Sequence, residues 1–160
     1  MMVQTRLLNP MLEYRIATKE DIELLMSTRL FMLKEVNNLD EDYQYSDELI
    51  DSSRKYFLEG DQTTVLALDD GKPVGCASMS YFTVMPTFSH VSGKRAHLMN
   101  VFTDKNYRRM GIGKTMVNML IEDAWNKGAT EISLDATESG RPLYKALGFN
   151  ENGACMNMTR

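Results

Sequence analysis

The chain has 160 residues, 43% apolar, 25% charged and 9% aromatic, values of one ordinary globular domain rather than a disordered or fibrous chain. Its 18 basic against 22 acidic residues leave a net charge of −4, which argues against a partner held by general basic charge, so no nucleic acid is expected. Cys76 and Cys155 are the only two cysteines; they form no zinc pattern or disulfide framework, and reduced thiols in a cytoplasmic protein are the simplest reading, with one disulfide still allowed.

Size scaling buries about two-thirds of the unfolded surface, so the core needs neither metal nor disulfide. The opening residues lack the apolar run of about 7–15 residues that a signal peptide needs, and no run of about 18 suits a membrane span. No membrane contact is expected. Residues 1–10 read as a loosely held extension, and 11–160 as one domain without repeats or linkers.

In chain order, Leu12 to Ile16 alternates apolar and polar residues and predicts a half-buried strand. Thr18 is a cap candidate, with Glu20 and Asp21 in the first turn, and Ile22, Leu25, Met26, Leu33 and Val36 trace a helical face. Ser46 caps a second predicted helix carrying Leu49, Ile50, Ser53 and Phe57, which Gly60 stops. Thr63 to Leu68 and Pro73 to Phe82 flank Asp69-Asp70-Gly71-Lys72, the pattern of an antiparallel hairpin.

His97 to Thr103 reads as a further strand, and Gly111 to Asn126 as a long helix closed by Lys127-Gly128. Ile132 to Ala136, Ser139 to Leu147 and Ala154 to Met158 complete the pattern as strand, short helix and final strand. The order is β-α-α-β-β-β-α-β-α-β. Strands flanking the long helix should be parallel neighbours and the earlier hairpins antiparallel, giving a mixed sheet in an α/β or α+β three-layer domain. The 13 methionines read as fillers of irregular core gaps rather than as ligands.

The most informative segment runs from Asn100 to Thr115, where a strand turns into a helix through Gly111 and Gly113. A helix start offers free N–H groups and positive dipole, glycine lets a ligand approach the backbone, and Arg108, Arg109 and Lys114 add local positive charge. A phosphate or pyrophosphate is the natural ligand; a solvated basic rim is the bland alternative. The nucleotide-hydrolase loop would need glycine where Arg108 stands, and a dinucleotide fingerprint would need a small residue at Met116.

Arg108-x-x-Gly111-x-Gly113 after a strand resembles the signature of the GNAT acyltransferase superfamily, and Gly140-Arg141-Pro142-Leu143-Tyr144-Lys145-Ala146-Leu147-Gly148-Phe149 is similar to that family's closing helix. The resemblance covers roughly Leu12 to Met158. It implies a single-domain fold with a central mixed, mostly antiparallel sheet flanked by helices, and an N-acetyltransferase using acetyl-CoA as cosubstrate and no metal. By that resemblance, backbone amides of Arg109, Met110, Gly111, Ile112, Gly113 and Lys114 hold the pyrophosphate, with Arg108 shaping the turn. The main chain of Val101, Phe102 and Thr103 pairs with the pantetheine arm, although Thr103 and Lys105 stand where relatives often carry Val and Pro.

The implied reaction is direct attack of a neutral primary amine on the thioester, which needs a proton acceptor, donors to the oxyanion and an acid for the thiolate. Tyr144 matches the position that protonates the sulfur, and a backbone N–H near Val101 would polarise the carbonyl. The base is open: the strand Arg95 to Phe102 has no carboxylate, leaving His97, or a water chain to Glu138 or a first-helix carboxylate. Alternation would put His97 on the same face as Met99 and Val101.

By resemblance the acceptor site lies between about Arg29 and Ser46 and along Val84 to Lys94. There Glu35, Asp40, Glu41 and Asp42 with Tyr43 and Tyr45 would draw an ammonium or form solvated surface. The acceptor is a small-molecule amine or a protein or peptide amine, and relatives allow a homodimer. Two rival readings remain: a non-catalytic acyl-CoA-binding or regulatory module, suggested by the missing carboxylate, and a domain for another phosphate ligand.

Overall fold

A computed structural model describes residues 10–160; apart from Pro10, the expected extension over residues 1–10 lies outside them. The elements are β1 (Leu12–Ile16), α1 (Ile22–Asn37), α2 (Asp47–Glu59), β2 (Gln62–Asp69), β3 (Lys72–Thr83), β4 (Lys94–Thr103), α3 (Ile112–Asn126), β5 (Glu131–Leu134) and α4 (Arg141–Ala146). Single 3-10 turns at Lys19–Asp21 and Lys105–Tyr107 precede α1 and α3. The five strands lie in sequence order, antiparallel except for the parallel pair of β4 and β5 that α3 connects.

Local chemistry explains the boundaries. The Thr18 amide donates to Asp21 Oδ2 at 2.8 Å, and Arg15 donates to both oxygens of Asp21 at 2.7 and 2.8 Å, tying the start of α1 to β1. Ser46 Oγ accepts from the Leu49 amide at 3.3 Å and caps α2. Asp70 and Gly71, at φ 49° and 77°, supply the two left-handed residues of the tight β2–β3 turn.

Helices cover both faces of the sheet, so Thr63 to Leu68 of β2 and Val74 to Met79 of β3 are continuously buried. On one face Val65, Ala67, Val74, Ala77, Met79, Ala96 and Leu98 pack against Ile112, Met116, Val117, Leu120 and Ala124 of α3. On the other, Leu66, Leu68, Cys76 and Phe102 meet Leu25, Met26 and Met32 of α1 and Phe57 of α2. Gly75 lets α3 sit this close: a Cβ there would lie 3.0 Å from the Phe102 carbonyl oxygen and 3.1 Å from Met116 Cε. Four methionines, Met26, Met32, Met79 and Met116, fill core positions, whereas Met85, Met156 and Met158 are exposed.

Three expectations are corrected. Ala154–Met158 forms no strand: Met156 and Met158 are 94% and 97% exposed, the Ala154 amide turns back onto Asn152 Oδ1 at 3.1 Å, and Ala and Asn are poor strand formers beside a four-residue edge. Val36 is 55% exposed and Thr28 and Met32 are buried in its place, because α1 turns its Leu25–Met26–Met32 stripe to the sheet. The long helix begins at Ile112 and α4 spans only Arg141–Ala146, each slightly shorter than the periodicity predicts. Both thiols are free, Cys76 buried and Cys155 exposed. No helix among the described residues is long and apolar enough to cross a membrane.

Candidate active site

The site is organised by an irregularity in β4. Cys76 pairs with Phe102 and Ser78 with Met99, so Ala77 faces two residues, Asn100 and Val101, across a β-bulge. Asn100 adopts φ 57°, a left-handed conformation that asparagine tolerates better than most residues. The bulge corrects the expected alternation. His97 and Met99 share the α1–α2 side with Ser80, while Val101 lies against the α3 cluster on the opposite face.

Beyond the bulge β4 loses its neighbour. Parallel pairing with β5 ends at Leu98 opposite Leu134, and β4 continues to Thr103 with no partner on that side among the described residues. Val101, Phe102 and Thr103, expected to pair with an extended arm, are the residues left with free backbone there. Phe102 is buried against Phe31, its ring edge-on with centroids 5.9 Å apart, so its side chain anchors the strand while its main chain remains open.

The glycine turn follows directly. Asp104 Oδ1 accepts from the Asn106 amide at 2.8 Å, the Tyr107 hydroxyl donates to Asp69 Oδ2 at 2.7 Å, and Arg108 Nε donates to the Thr103 carbonyl at 3.3 Å. Arg109 and Gly111 take positive φ of 62° and 78°, which aims the chain into α3. The Gly111 carbonyl accepts from the Thr115 amide at 3.0 Å, so the amides of Ile112, Gly113 and Lys114 lie ahead of the helical ladder and are free for a ligand. A Cβ at Gly111 would meet nothing within 4 Å, and one at Gly113 only Leu143 at 3.5 Å and Thr103 Oγ1 at 3.8 Å. Ile112 is buried under the turn and fixes the helix start, whereas Arg108, Arg109, Met110 and Lys114 are exposed around it. Donors, dipole and open space fit a diphosphate.

Tyr144 on α4 packs against the same apolar cluster as Val101 and stands edge-on to Phe149 with centroids 5.9 Å apart. Burial alone raises its pKa, so the phenol keeps its proton at neutral pH. On the far side of β4, His97 Nδ1 is 2.8 Å from Ser133 Oγ and Nε2 is 3.7 Å from Asp135 Oδ2. The other base candidate, Glu138, lies exposed 3.6 Å from Arg141.

A cavity of about 190 Å³ opens between α1, α2 and β4, lined by Arg29, Ser52, Ser53, Tyr56, Phe57, Met99 and Asn100. A polar ladder runs beneath it. Arg29 Nη1 donates to Asn100 Oδ1 at 2.8 Å, Asn100 Nδ2 to Ser78 Oγ at 3.2 Å, and Ser78 and Thr64 share a bond of 2.7 Å. Tyr56 and Ser80 hydroxyls lie 2.7 Å apart, and burial raises the Tyr56 pKa. Sequence reasoning named the region from Arg29 onward but missed Arg29 itself, Tyr56 and Ser78. The one local signal was Asn100, an unusual residue inside an otherwise regular strand.

The acidic loop does not border this cavity. Asp40, Glu41 and Asp42 are exposed and Lys34 Nζ donates to the Glu41 carbonyl, while the Tyr45 hydroxyl donates to the Leu30 carbonyl at 2.6 Å and fastens the loop to α1. Residues 84–94 contribute nothing to it either.

A model of the acetyltransferase (GNAT) family matches residues 30–149. The glucosamine 6-phosphate N-acetyltransferase of Trypanosoma brucei brucei is 32% identical over 88 residues, 55% of this chain and 58% of that protein. The [ribosomal protein bS18]-alanine N-acetyltransferase of Escherichia coli K12 is 34% identical over 59 residues, 35% of this chain and 40% of its own. The chain thus matches about half the length of these curated relatives. An acetyltransferase from Clostridium acetobutylicum, crystallised with acetyl-CoA, shares the fold at a TM-score of 0.81 and 24% identity over 93% of this chain and 96% of that one. With the glycine turn and closing helix inside the matched range, the chain belongs to the acetyltransferase (GNAT) family.

Proposed function

We propose that the chain is an N-acetyltransferase that moves the acetyl group of acetyl-CoA to a primary amine by direct attack in a ternary complex. The observation that carries this reading is the parting of β4 from β5 after Leu98, directly ahead of the open helix start at Gly111. Amides of Ile112, Gly113 and Lys114 hold the diphosphate, with Arg109 and Met110 shaping the approach and Arg108 pinning the turn to Thr103. The free main chain of Val101, Phe102 and Thr103 receives the pantetheine arm as an added strand.

The amine approaches from the α1–α2 side, where the bulge presents Met99 and Asn100. A β4 amide at the bulge donates to the carbonyl oxygen as negative charge develops, without reorganisation of any side chain. Tyr144, kept protonated by burial, gives its proton to the departing thiolate. His97 takes the proton of the attacking amine, and Asp135, 3.7 Å from Nε2, stabilises the imidazolium so formed. The cavity of about 190 Å³ is below the about 300–1,000 Å³ of sites for drug-sized ligands. It suits a small amine or the tip of a larger acceptor, a range that includes the amino-sugar phosphate and the protein alanine named for the relatives.

Substitution of Tyr144 by Phe tests the chemistry. Turnover is expected to fall about 10²- to 10⁴-fold, with acetyl-CoA affinity, measured by calorimetry, within about threefold of the parent. Unchanged turnover with a verified acceptor removes Tyr144 from the mechanism. Acetyl-CoA binding without thiol release across a broad amine panel replaces the enzyme reading with a binding module, whose attraction is the missing carboxylate on β4.

A further inference from the structure

Among the described residues, half-buried arginines are otherwise matched by carboxylates: Arg15 by Asp21 at 2.7 Å, Arg141 by Glu151 at 2.6 Å, and Arg95 by Glu131. Arg29 is the exception. Its Nη1 donates to the neutral Asn100 amide oxygen at 2.8 Å and lies 3.8 Å from Met32 Sδ, and among the described residues no carboxylate comes within ion-pair distance. Glu23, at the start of the same helix, is taken by Arg54 at 2.6 Å. A guanidinium has five N–H donors in a planar fork suited to carboxylate or phosphate, and Asn100 with Met32 occupies one nitrogen.

Burial lowers the Arg29 pKa, and the groups acting on its charge are Cys76 and Tyr56, both neutral near pH 7 because burial raises their own pKa values. A half-desolvated cation without a counter-ion is a standing electrostatic cost that a bound anion would relieve. Arg29 lines the 190 Å³ cavity together with the Ser52 and Ser53 side chains, and the cavity ends at Met99 and Asn100, where β4 parts from β5.

Building on the acetyltransferase reading above, we propose that the acceptor is a small amine carrying a carboxylate or phosphate group, which Arg29 binds in the cavity between α1, α2 and β4. The anion sits against the guanidinium with the serine hydroxyls beside it, and the amine reaches the bulge. Of the two alternatives for the acidic loop, the arrangement favours solvated surface over attraction of the acceptor.

The test uses matched pairs that differ only in the anion: β-alanine against β-alaninamide for the carboxylate, and phosphoethanolamine against ethanolamine for the phosphate. Each is assayed by thiol release with acetyl-CoA and by calorimetric binding to the full chain saturated with CoA. At least one anionic member is expected to exceed its neutral analogue by about ten- to a hundredfold in kcat/KM or in affinity, the range of a charge-assisted hydrogen bond; which pair does so tells carboxylate from phosphate. In Arg29→Gln that ratio is expected to fall to near one, with Arg29→Lys between. A role confined to supporting Asn100 would lower both members alike and leave the ratio standing.

Equal behaviour of both pairs, or no binding of either anionic amine, overturns the proposal, as does an unchanged ratio in Arg29→Gln. Anion-selective binding without thiol release from any amine upholds the anion site and instead removes the acetyltransferase reading. Turnover of neutral amines without anion preference does the reverse.

Discussion

The two faces of the sheet are built from different materials. On the α3–α4 face the groups proposed to hold the cosubstrate are main chain, free amides ahead of α3, the open backbone of β4 after Leu98 and glycines whose service is to be absent, with Tyr144 the one side chain proposed to act there. On the α1–α2 face they are side chains linked in series, Arg29 to Asn100 to Ser78 to Thr64, with Tyr56 and Ser80 alongside. A cosubstrate recognised through backbone can be held by one geometry whatever the neighbouring side chains, whereas an acceptor recognised through side chains changes with each substitution. One domain can thus keep its donor and exchange its acceptor.

The sharpest way to break that contrast is to obstruct the backbone site without touching a polar side chain. Gly113→Val puts bulk where the diphosphate approaches, and a Cβ there makes only ordinary contacts, with Leu143 at 3.5 Å and Thr103 Oγ1 at 3.8 Å. Losing two charge-assisted bonds, each about 1.5–3 kcal/mol, predicts at least about a hundredfold weaker acetyl-CoA binding. The expected change in Tm is less than about 4 °C. Intact affinity in a folded variant would show that the α3 start does not hold the donor.

The opposite face is probed at Asn100. Alanine removes the bonds to Arg29 and Ser78 and forces an ordinary residue to φ 57°, costing about 2–3 kcal/mol in all, or about 4–12 °C in Tm. Glycine removes the same bonds but takes the conformation freely, and is expected to cost about 1 kcal/mol. Equal losses for the two variants would place the stabilisation in the side-chain ladder alone and detach it from the bulge.

The same contrast explains what could be read in the sequence. Gly111, Gly113 and Gly148 mark backbone requirements at fixed spacing, and the α3 stripe of Ile112, Met116, Leu120 and Ala124 repeats at helical period, so the glycine turn and the helix behind it were legible. The hairpin turn and the parallel β4–β5 pair were legible for like reasons. The polar ladder of the α1–α2 face was not, because it joins residues 71 and 22 positions apart in the chain, and the bulge shifts the alternation by one residue. No local pattern distinguishes Arg29, which meets a neutral amide, from Arg54, which meets Glu23. The final strand was misread because Ala154 to Met158 is rich in apolar residues, yet Met156 and Met158 stay exposed and the Ala154 amide turns back onto Asn152.

The smallest expected effect lies at the rim of the side-chain face, where Arg15 and Asp21 join β1 to α1. The Arg15 guanidinium, opposed by burial and aided by the Thr18 amide, holds the Asp21 carboxyl at about 2. Because the folded value lies below the ordinary carboxylate value of about 3.9, the stabilisation is complete above that pH and drains away as the pH falls toward 2. Solvent around the pair limits it to about 1 kcal/mol. Asp21→Asn should therefore be less stable than the parent by about that amount in denaturant titrations at pH 7, with the gap closing between pH 4 and pH 2. The variant leaves Asp123 intact on the other face, where burial pushes the carboxyl up but bonds from Tyr81, Thr63 and Lys127 outweigh it and hold it low. An acid-sensitive slope that persists in Asp21→Asn then belongs to the other carboxylates that partners hold low, Asp123 on α3 and the surface pairs of Glu23 and Glu151. A gap that stays constant down to pH 2 would mean that the pair acts through packing rather than charge.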